Sequence, residues 1–393
     1  MDFRDTADEA RFRAELREWL HDNLPPGWAD RPPTVGQWDE EELRAWSKRL
    51  HEGGYVGLTW PVEYGGRGLP LPYQAILLEE TARAHAPGHI GVIGLGMAGP
   101  TILAWGSEEQ KKRLLPPLLS ADEVWCQGFS EPGSGSDLAA ARTTAVLDGE
   151  EWVVNGQKVW SSYAQIADWC LLLVRTNPEA QKHRGLSYLL VDMHASGVDV
   201  RPLRQITGDP EFNEIFFTDV RVPRASMLGQ PGEGWNVAMT TLLHERGTLG
   251  FALTARLEQL VDRLLQLVKQ PDERGRRPAD DPLVRDRVAK AWIDLQALRY
   301  TNYRALTALL KTGIPGPEGA VAKLHWSEAN QALTKLAVEV QGLAGQLDGE
   351  GAVWDGFWQY QQLRSRGNTI EAGTSEILRN IIAERVVGLP RSR

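Results

Sequence analysis

Ser130-Glu131-Pro132-Gly133-Ser134-Gly135-Ser136-Asp137, entered through Gln127-Gly128-Phe129, is the stretch of this chain whose residue types offer most chemistry. Its hydroxyls, glycines and proline build an irregular loop whose N–H groups and oxygens can converge on one polar, flat or phosphorylated ligand. The same composition describes an ordinary surface turn, so the loop alone leaves both readings open. Trp160-Ser161-Ser162 sets an indole beside two hydroxyls, suited either to core packing or to stacking on a ring. Two carboxylates could move a proton. Glu245, in Leu243-His244-Glu245-Arg246, shares a helical stripe with Ala238, Leu242, Leu249 and Ala252, an apolar setting that raises a carboxyl pKa toward that of a working base. A buried salt bridge from Glu245 to Arg246 or another cation is the alternative. Gly247 and Gly250 weaken that helix by about 1 kcal/mol each but admit a close ligand. The second carboxylate is Glu371, in Thr369-Ile370-Glu371-Ala372-Gly373-Thr374-Ser375-Glu376.

The elements that must position these groups fall into three blocks. Phe12, Leu16, Trp19 and Leu20 recur at helical spacing between Asp8 and Leu24, and further helices are predicted over Glu41–Glu52, Pro72–His85 and Glu108–Leu119. The period changes after about Val124. Asp148-Gly149 and Asn155-Gly156 read as hairpin turns between the short runs Thr143–Leu147, Glu151–Val154 and Lys158–Trp160, and Trp169–Arg175, Gly185–Met193 and Glu214–Val222 continue as strands. Gly229–Gly234 closes a β-domain, read as a β-barrel, and helical periodicity resumes from Trp235, broken at Gln270–Pro282 and Gly313–Gly316. The expectation is an α+β multidomain chain: a helical domain over 1–122, a β-domain over 123–232 and a helical domain over 233–393. Helices, then strands, then helices is not a βαβ alternation, which disfavours a Rossmann fold.

At 393 residues and 42% hydrophobic content the chain can bury a real core. Its formal charge of -9, without a basic stripe, argues against nucleic acid as the main partner. Cys126 and Cys170 have neither disulfide-framework nor zinc spacing, which fits a reducing cytoplasm. The charged start Met1-Asp2-Phe3-Arg4-Asp5 and the lack of any run of about 18 apolar residues lead us to expect no export signal and no membrane span. Most of the fifteen tryptophans are expected in the core, with Trp160 set apart by its neighbours.

The Ser130–Asp137 stretch resembles the flavin-binding signature of the acyl-CoA dehydrogenase family, and Thr59-Trp60-Pro61-Val62-Glu63-Tyr64-Gly65-Gly66 looks like another element of its bacterial members. The resemblance implies a helical, β-barrel and helical fold, FAD as cofactor, an acyl-CoA substrate and an electron-transfer flavoprotein as acceptor. It implies that Gln127 to Ser136 hold the flavin ring and pyrophosphate. Phe129 and Ser130 then meet the ring's polar edge, and Ser136 lies toward pyrophosphate and acyl-CoA. Trp160, Ser161 and Ser162 fall where the family has its Trp-x-Thr element, with Ser162 donating toward flavin N5. Leu243 and Arg246 flank Glu245 as substrate contacts. Gln341, Gly345, Thr374 and Glu376 match segments that approach FAD, the first two within Gln341-Gly342-Leu343-Ala344-Gly345.

One branch of the family carries its base immediately before Gly-Thr, where this chain has Ala372; Glu371 stands one residue early, which turns a side chain by about 100°. The branch resembling isovaleryl-CoA and long-chain enzymes carries it before Arg on the mid-chain helix, matching Glu245. Glu245 is therefore the expected base and Glu371 the alternative, while the Ala372 N–H is implied as a donor to the thioester carbonyl. The family's Arg-x-x-Phe-Gly element is replaced by Pro271-Asp272-Glu273-Arg274-Gly275-Arg276-Arg277-Pro278. That departure keeps three assemblies open: homotetramer, homodimer, and heterotetramer with a related chain acting on bulky sterol-type CoA esters. A non-catalytic subunit and an oxygen-reactive flavoenzyme are the remaining alternatives.

Overall fold

A computed structural model describes residues 4–25, 27–28, 39–271, 274–312, 316–349 and 351–391, apart from the side chains of 245–249. Its helices are α1 (Ala7–Asn23), α2 (Glu40–Glu52), α3 (Leu71–Arg83), α4 (Gly99–Trp105), α5 (Glu108–Leu119), α6 (Gly234–Lys269), α7 (Pro282–Thr312), α8 (Glu318–Glu339), α9 (Phe357–Asn368) and α10 (Ser375–Ile381). The strands are β1 (Trp125–Gly128), β2 (Thr144–Asp148), β3 (Glu151–Ser162), β4 (Trp169–Arg175), β5 (Leu186–Asp192), β6 (Val198–Leu203), β7 (Phe212–Pro223) and β8 (Met227–Leu228). No helix among the described residues is long and apolar enough to cross a membrane.

The chain forms two compact units. The first comprises Met1–Thr34, Pro70–Pro87 and Arg246–Arg393, the second Val35–Leu69 and Gly88–Glu245. In the first, α1 starts at a capping box in which Thr6 and Glu9 satisfy each other's backbone N–H groups. Phe12, Leu16 and Leu20 bury the stripe that their spacing predicts. Arg13 on α1 bonds Glu79 (2.9 Å) and Glu80 (2.6 Å) of α3, and the Tyr303 hydroxyl of α7 donates to Glu79 at 3.1 Å. Burial favours protonation of Glu80, but Arg17, Arg13 and Arg83 outweigh it and hold the carboxyl below its ordinary range. Leu257, Val261, Leu264, Leu295, Leu336, Phe357 and Trp358 form this unit's core.

The second unit is built on an eight-stranded sheet ordered β6-β7-β3-β2-β4-β5-β8, with β1 paired in parallel to β4. Its core packs Val154, Leu172, Val174, Leu189, Val191, Ile215 and Phe217. The Asp148-Gly149 turn forms as predicted, Asp148 pairing with Glu151 across a two-residue loop whose Gly149 has φ +61°. The predicted turn at Asn155-Gly156 does not form, and β3 runs through it. Asn155 instead exchanges side-chain hydrogen bonds of 2.9 Å with the backbone and carboxylate of Asp219 on β7. Gly156 is required by a close approach, since a Cβ there would lie 2.6 Å from Thr143 Oγ1 and 2.7 Å from its Cα. Gln127 likewise lies on β1, not in the loop that follows it. The short strands β1, β6 and β8 were not anticipated.

His89 gives this unit an acid sensitivity. Its Nδ1 accepts the Gly91 N–H at 2.9 Å, which requires an unprotonated nitrogen, and burial pushes its pKa down to about 4. Between that value and the ordinary 6.5 the unfolded chain binds a proton that the folded chain refuses. The contribution is therefore intact above about pH 6.5 and falls by about 2–3 kcal/mol as pH drops toward 4. Denaturant titrations at neutral and acid pH are expected to show this loss in wild type and a loss smaller by that amount in His89→Asn.

Candidate active site

In the second unit the Ser130–Asp137 loop is fastened from beneath by a buried ion pair. Lys158 Nζ, fully buried on β3, donates to the Phe129 carbonyl at 3.0 Å and to Glu131 Oε1 at 2.9 Å. Glu131 also accepts the Arg142 N–H at 2.7 Å and the Thr143 N–H at 2.8 Å. Burial raises the Glu131 pKa, but the Lys158 ammonium and these donors outweigh it and leave the carboxyl lowered. Burial lowers the Lys158 pKa against the opposing pull of Glu131. The Ser130 carbonyl accepts the Val159 N–H at 2.9 Å, and Glu131 and Ser134 exchange backbone bonds of 2.9 and 3.0 Å around Pro132-Gly133. The Phe129 ring is anchored edge-on to Tyr188, 5.7 Å between centroids. These restraints bind the inner side of the loop. The N–H groups of Ser130, Gly135 and Ser136, and the hydroxyls of Ser130 and Ser136, have no acceptor among the described residues.

A β-bulge sets Trp160. Lys158 and Ser161 both face inward although three residues apart, and the pairing of β3 with β7 slips between them. The extra residue is absorbed by a left-handed Trp160 at φ +62°, a strained conformation for an aromatic. Trp160 is 60% exposed with its ring edge-on to Phe212, whereas Trp46, Trp125 and Trp358 are buried. Ser161 Oγ and Gln127 Nε2 are buried without hydrogen-bond partners. Ser162 ends β3, half-buried.

Glu245 lies within α6. The preceding turns hold fast: Val237, Ala238 and Thr241 are fully buried, and Thr241 Oγ1 lies 2.9 Å from Thr101 Oγ1 and 3.1 Å from the Tyr188 hydroxyl. Leu243 is 38% exposed. The side chains of Glu245 and Arg246, and residues 272–273 of the Pro271–Pro278 segment, lie outside the described residues.

In the first unit, Glu371 follows α9. Its carboxylate accepts Arg364 at 3.1 and 3.4 Å and Asn368 Nδ2 at 2.6 Å, so three N–H donors already engage it. Ala372 and Gly373 are left-handed at φ 51° and 99°, and the Ala372 N–H meets no acceptor among the described residues. Thr374 caps α10 by accepting the Ile377 N–H at 3.2 Å, and Glu376 is exposed in its first turn. Gln341 donates to the Ala337 carbonyl at 2.9 Å, and Gly345 is buried where a Cβ would meet the Val338 carbonyl at 2.6 Å. Lys158, Glu131 and Arg364, which hold these segments, were missed. Reading Asn155-Gly156 as a turn hid Lys158, because a lysine on an inward strand face next to the acidic loop would have signalled a pair.

Family models for the acyl-CoA dehydrogenase N-terminal, middle and C-terminal domains match residues 6–122, 126–220 and 232–387. This chain belongs to the acyl-CoA dehydrogenase family. It is 45% identical to acyl-CoA dehydrogenase IpdE1 of Mycolicibacterium smegmatis over 97% of both chains, and 44% identical to IpdE1 of Mycobacterium tuberculosis over 98% of both. Among solved structures it is similar to the Tcur3481-Tcur3483 steroid ACAD (TM-score 0.86, 32% identity, all of both chains). The ChsE4-ChsE5 complex from Mycobacterium tuberculosis is also similar (TM-score 0.84, 32% identity, all of both chains). Acyl-CoA dehydrogenases are FAD-dependent oxidoreductases acting on CH–CH bonds. The loop fits such a cofactor: its inward groups are satisfied, its outward N–H and hydroxyl groups are unclaimed, and Gln127 Nε2 and Ser161 Oγ lack partners.

Proposed function

We propose that this acyl-CoA dehydrogenase oxidises the α,β bond of an acyl-CoA thioester to the trans-2-enoyl-CoA. Bound FAD supplies the acceptor for the β-hydrogen and its electron pair, which an electron-transfer flavoprotein then removes. The Glu245 carboxylate takes the α-proton, and the Ala372 N–H polarises the thioester carbonyl so that negative charge develops on oxygen. Gln127, Phe129, Ser130 and Ser136 hold the cofactor, Trp160 packs on its ring, Ser161 and Ser162 complete that wall, and Gln341, Gly345, Thr374 and Glu376 belong to segments that approach it. Leu243, Arg246 and Ser136 contact substrate. The observation that carries the cofactor reading is the Lys158–Glu131 pair, which spends a buried ion pair on fixing Phe129–Glu131 while their outward donors stay open.

A second reading narrows the substrate. The solved structures named above are a steroid ACAD and a two-protein complex, and they support a bulky, sterol-derived CoA ester handled by a heteromer of this chain with a related one. The purified protein, alone or with such a partner, is expected to be yellow. Anaerobic addition of CoA esters, straight-chain and steroid side-chain, is expected to bleach the flavin, with the bulky ester fastest under the second reading. A colourless protein, or a flavin that no CoA ester bleaches, would overturn the proposal. Rapid reoxidation by air would favour an oxygen-reactive enzyme.

A further inference from the structure

We infer that Lys323 is a positioning residue for the carbonyl-polarising N–H of Ala372; the inference rests on the proposed function. Lys323 is on α8, 4% exposed, and has no place among the cofactor or substrate contacts assigned above. Its Nζ donates to the Asn368 carbonyl at 2.7 Å and to the Gly373 carbonyl at 2.9 Å. Those carbonyls bracket the turn between α9 and α10: Asn368 ends the first helix, and Gly373 precedes the cap of the second. A single buried ammonium therefore clamps both ends of the segment that carries Glu371 and Ala372.

The clamp answers a conformational need. Ala372 is left-handed at φ 51°, where an alanine persists only if its surroundings over-determine it. The other hydrogen bonds of the turn involve neither Ala372 nor Gly373 among the described residues. Ile370 and Glu371 N–H donate back to Gly367, Ser375 N–H donates to Thr369, Asn330 Nδ2 donates to Asn368 Oδ1 at 2.8 Å, and Asn368 Nδ2 donates to Glu371. Lys323 grips the Gly373 carbonyl, one residue past Ala372 and two peptide units from its N–H. Its three donors on a flexible stem suit two convergent carbonyls better than a planar guanidinium does. With the Gly373 carbonyl fixed on one side and Glu371 held by Gly367, Arg364 and Asn368 on the other, the Ala372 backbone between them has little room to rotate, and its N–H, which has no acceptor of its own among the described residues, keeps one direction. A donor aimed at a developing oxyanion works only if its direction is fixed beforehand.

The test uses FAD-loaded protein and 3-thiaoctanoyl-CoA labelled with 13C at the thioester carbonyl, a probe that cannot be dehydrogenated. Isotope-edited infrared difference spectra are expected to show the bound carbonyl stretch lowered in wild type. In Lys323→Met at least half of that lowering is lost, while FAD content is unchanged. Exchange of the probe's α-protons into D2O is expected to slow by about 10- to 100-fold in the variant. An unaltered carbonyl shift and exchange rate in Lys323→Met would overturn the inference. If wild type itself shows no lowering, the proposed thioester contact at Ala372 fails first and the inference falls with it. Should Lys323→Met not fold, Lys323→Gln applies the same criterion, because its amide reaches one carbonyl at most.

Discussion

Glu245→Gln is expected to slow oxidation of a bound acyl-CoA thioester by about 10³-fold, the middle of the range for removing a positioned general base and about 4 kcal/mol of barrier. Glutamine keeps the size of the side chain but cannot accept the proton, so binding is expected to survive and turnover to fail. The turn of α6 that precedes position 245 is anchored by the contacts of the Thr241 hydroxyl to Thr101 and Tyr188. Glu371→Gln is expected to stay within about tenfold of wild type. Arg364 and Asn368 occupy its carboxylate, and serving as base would require breaking those contacts. Rates read under saturating CoA ester, with its affinity measured separately, check both expectations.

Lys158→Met is expected to destabilise the protein by about 3–5 kcal/mol and to strip it of FAD. The substitution keeps the stem and its packing but leaves the Glu131 carboxylate buried without its cation and the Phe129 carbonyl without its donor. The carboxyl then protonates or drags the loop toward water, and in either case the Phe129–Glu131 backbone loses its setting. The double variant Lys158→Met/Glu131→Gln removes the orphaned charge and is expected to recover part of the stability but little of the FAD. Denaturant unfolding and flavin content per chain measure the two effects separately. Equal stability losses in the single and double variants would show that the ion pair is not what holds the loop.

Amphipathic helices and uniformly apolar strands were legible because one physical signal, burial of one face, decides them. Glu108–Leu119 and Trp169–Arg175 form with the predicted bounds, and α1 begins and ends one residue before its prediction. Asn155-Gly156 misled because the dipeptide signals a turn only when its polar groups lack a better partner, and here Asp219 supplies one. The signature loop was legible as an irregular turn rich in hydrogen-bonding groups, but what stiffens it was not. Lys158, Lys323 and Asn368 act through contacts 27 to 50 residues away in the chain, beyond the reach of any local pattern. The bulge that turns Trp160 outward is equally non-local, since it exists only in the register of β3 against β7.

The proposed oxidation of an acyl-CoA thioester needs Glu245 as its base. Its most direct test is anaerobic single-turnover flavin bleaching in wild type, Glu245→Gln and Glu371→Gln, using whichever CoA ester bleaches wild type fastest and proteins matched for FAD content. Bleaching is expected in wild type and Glu371→Gln, and at a rate about 10³-fold lower in Glu245→Gln. Normal bleaching in Glu245→Gln, with loss in Glu371→Gln, would contradict that role for Glu245.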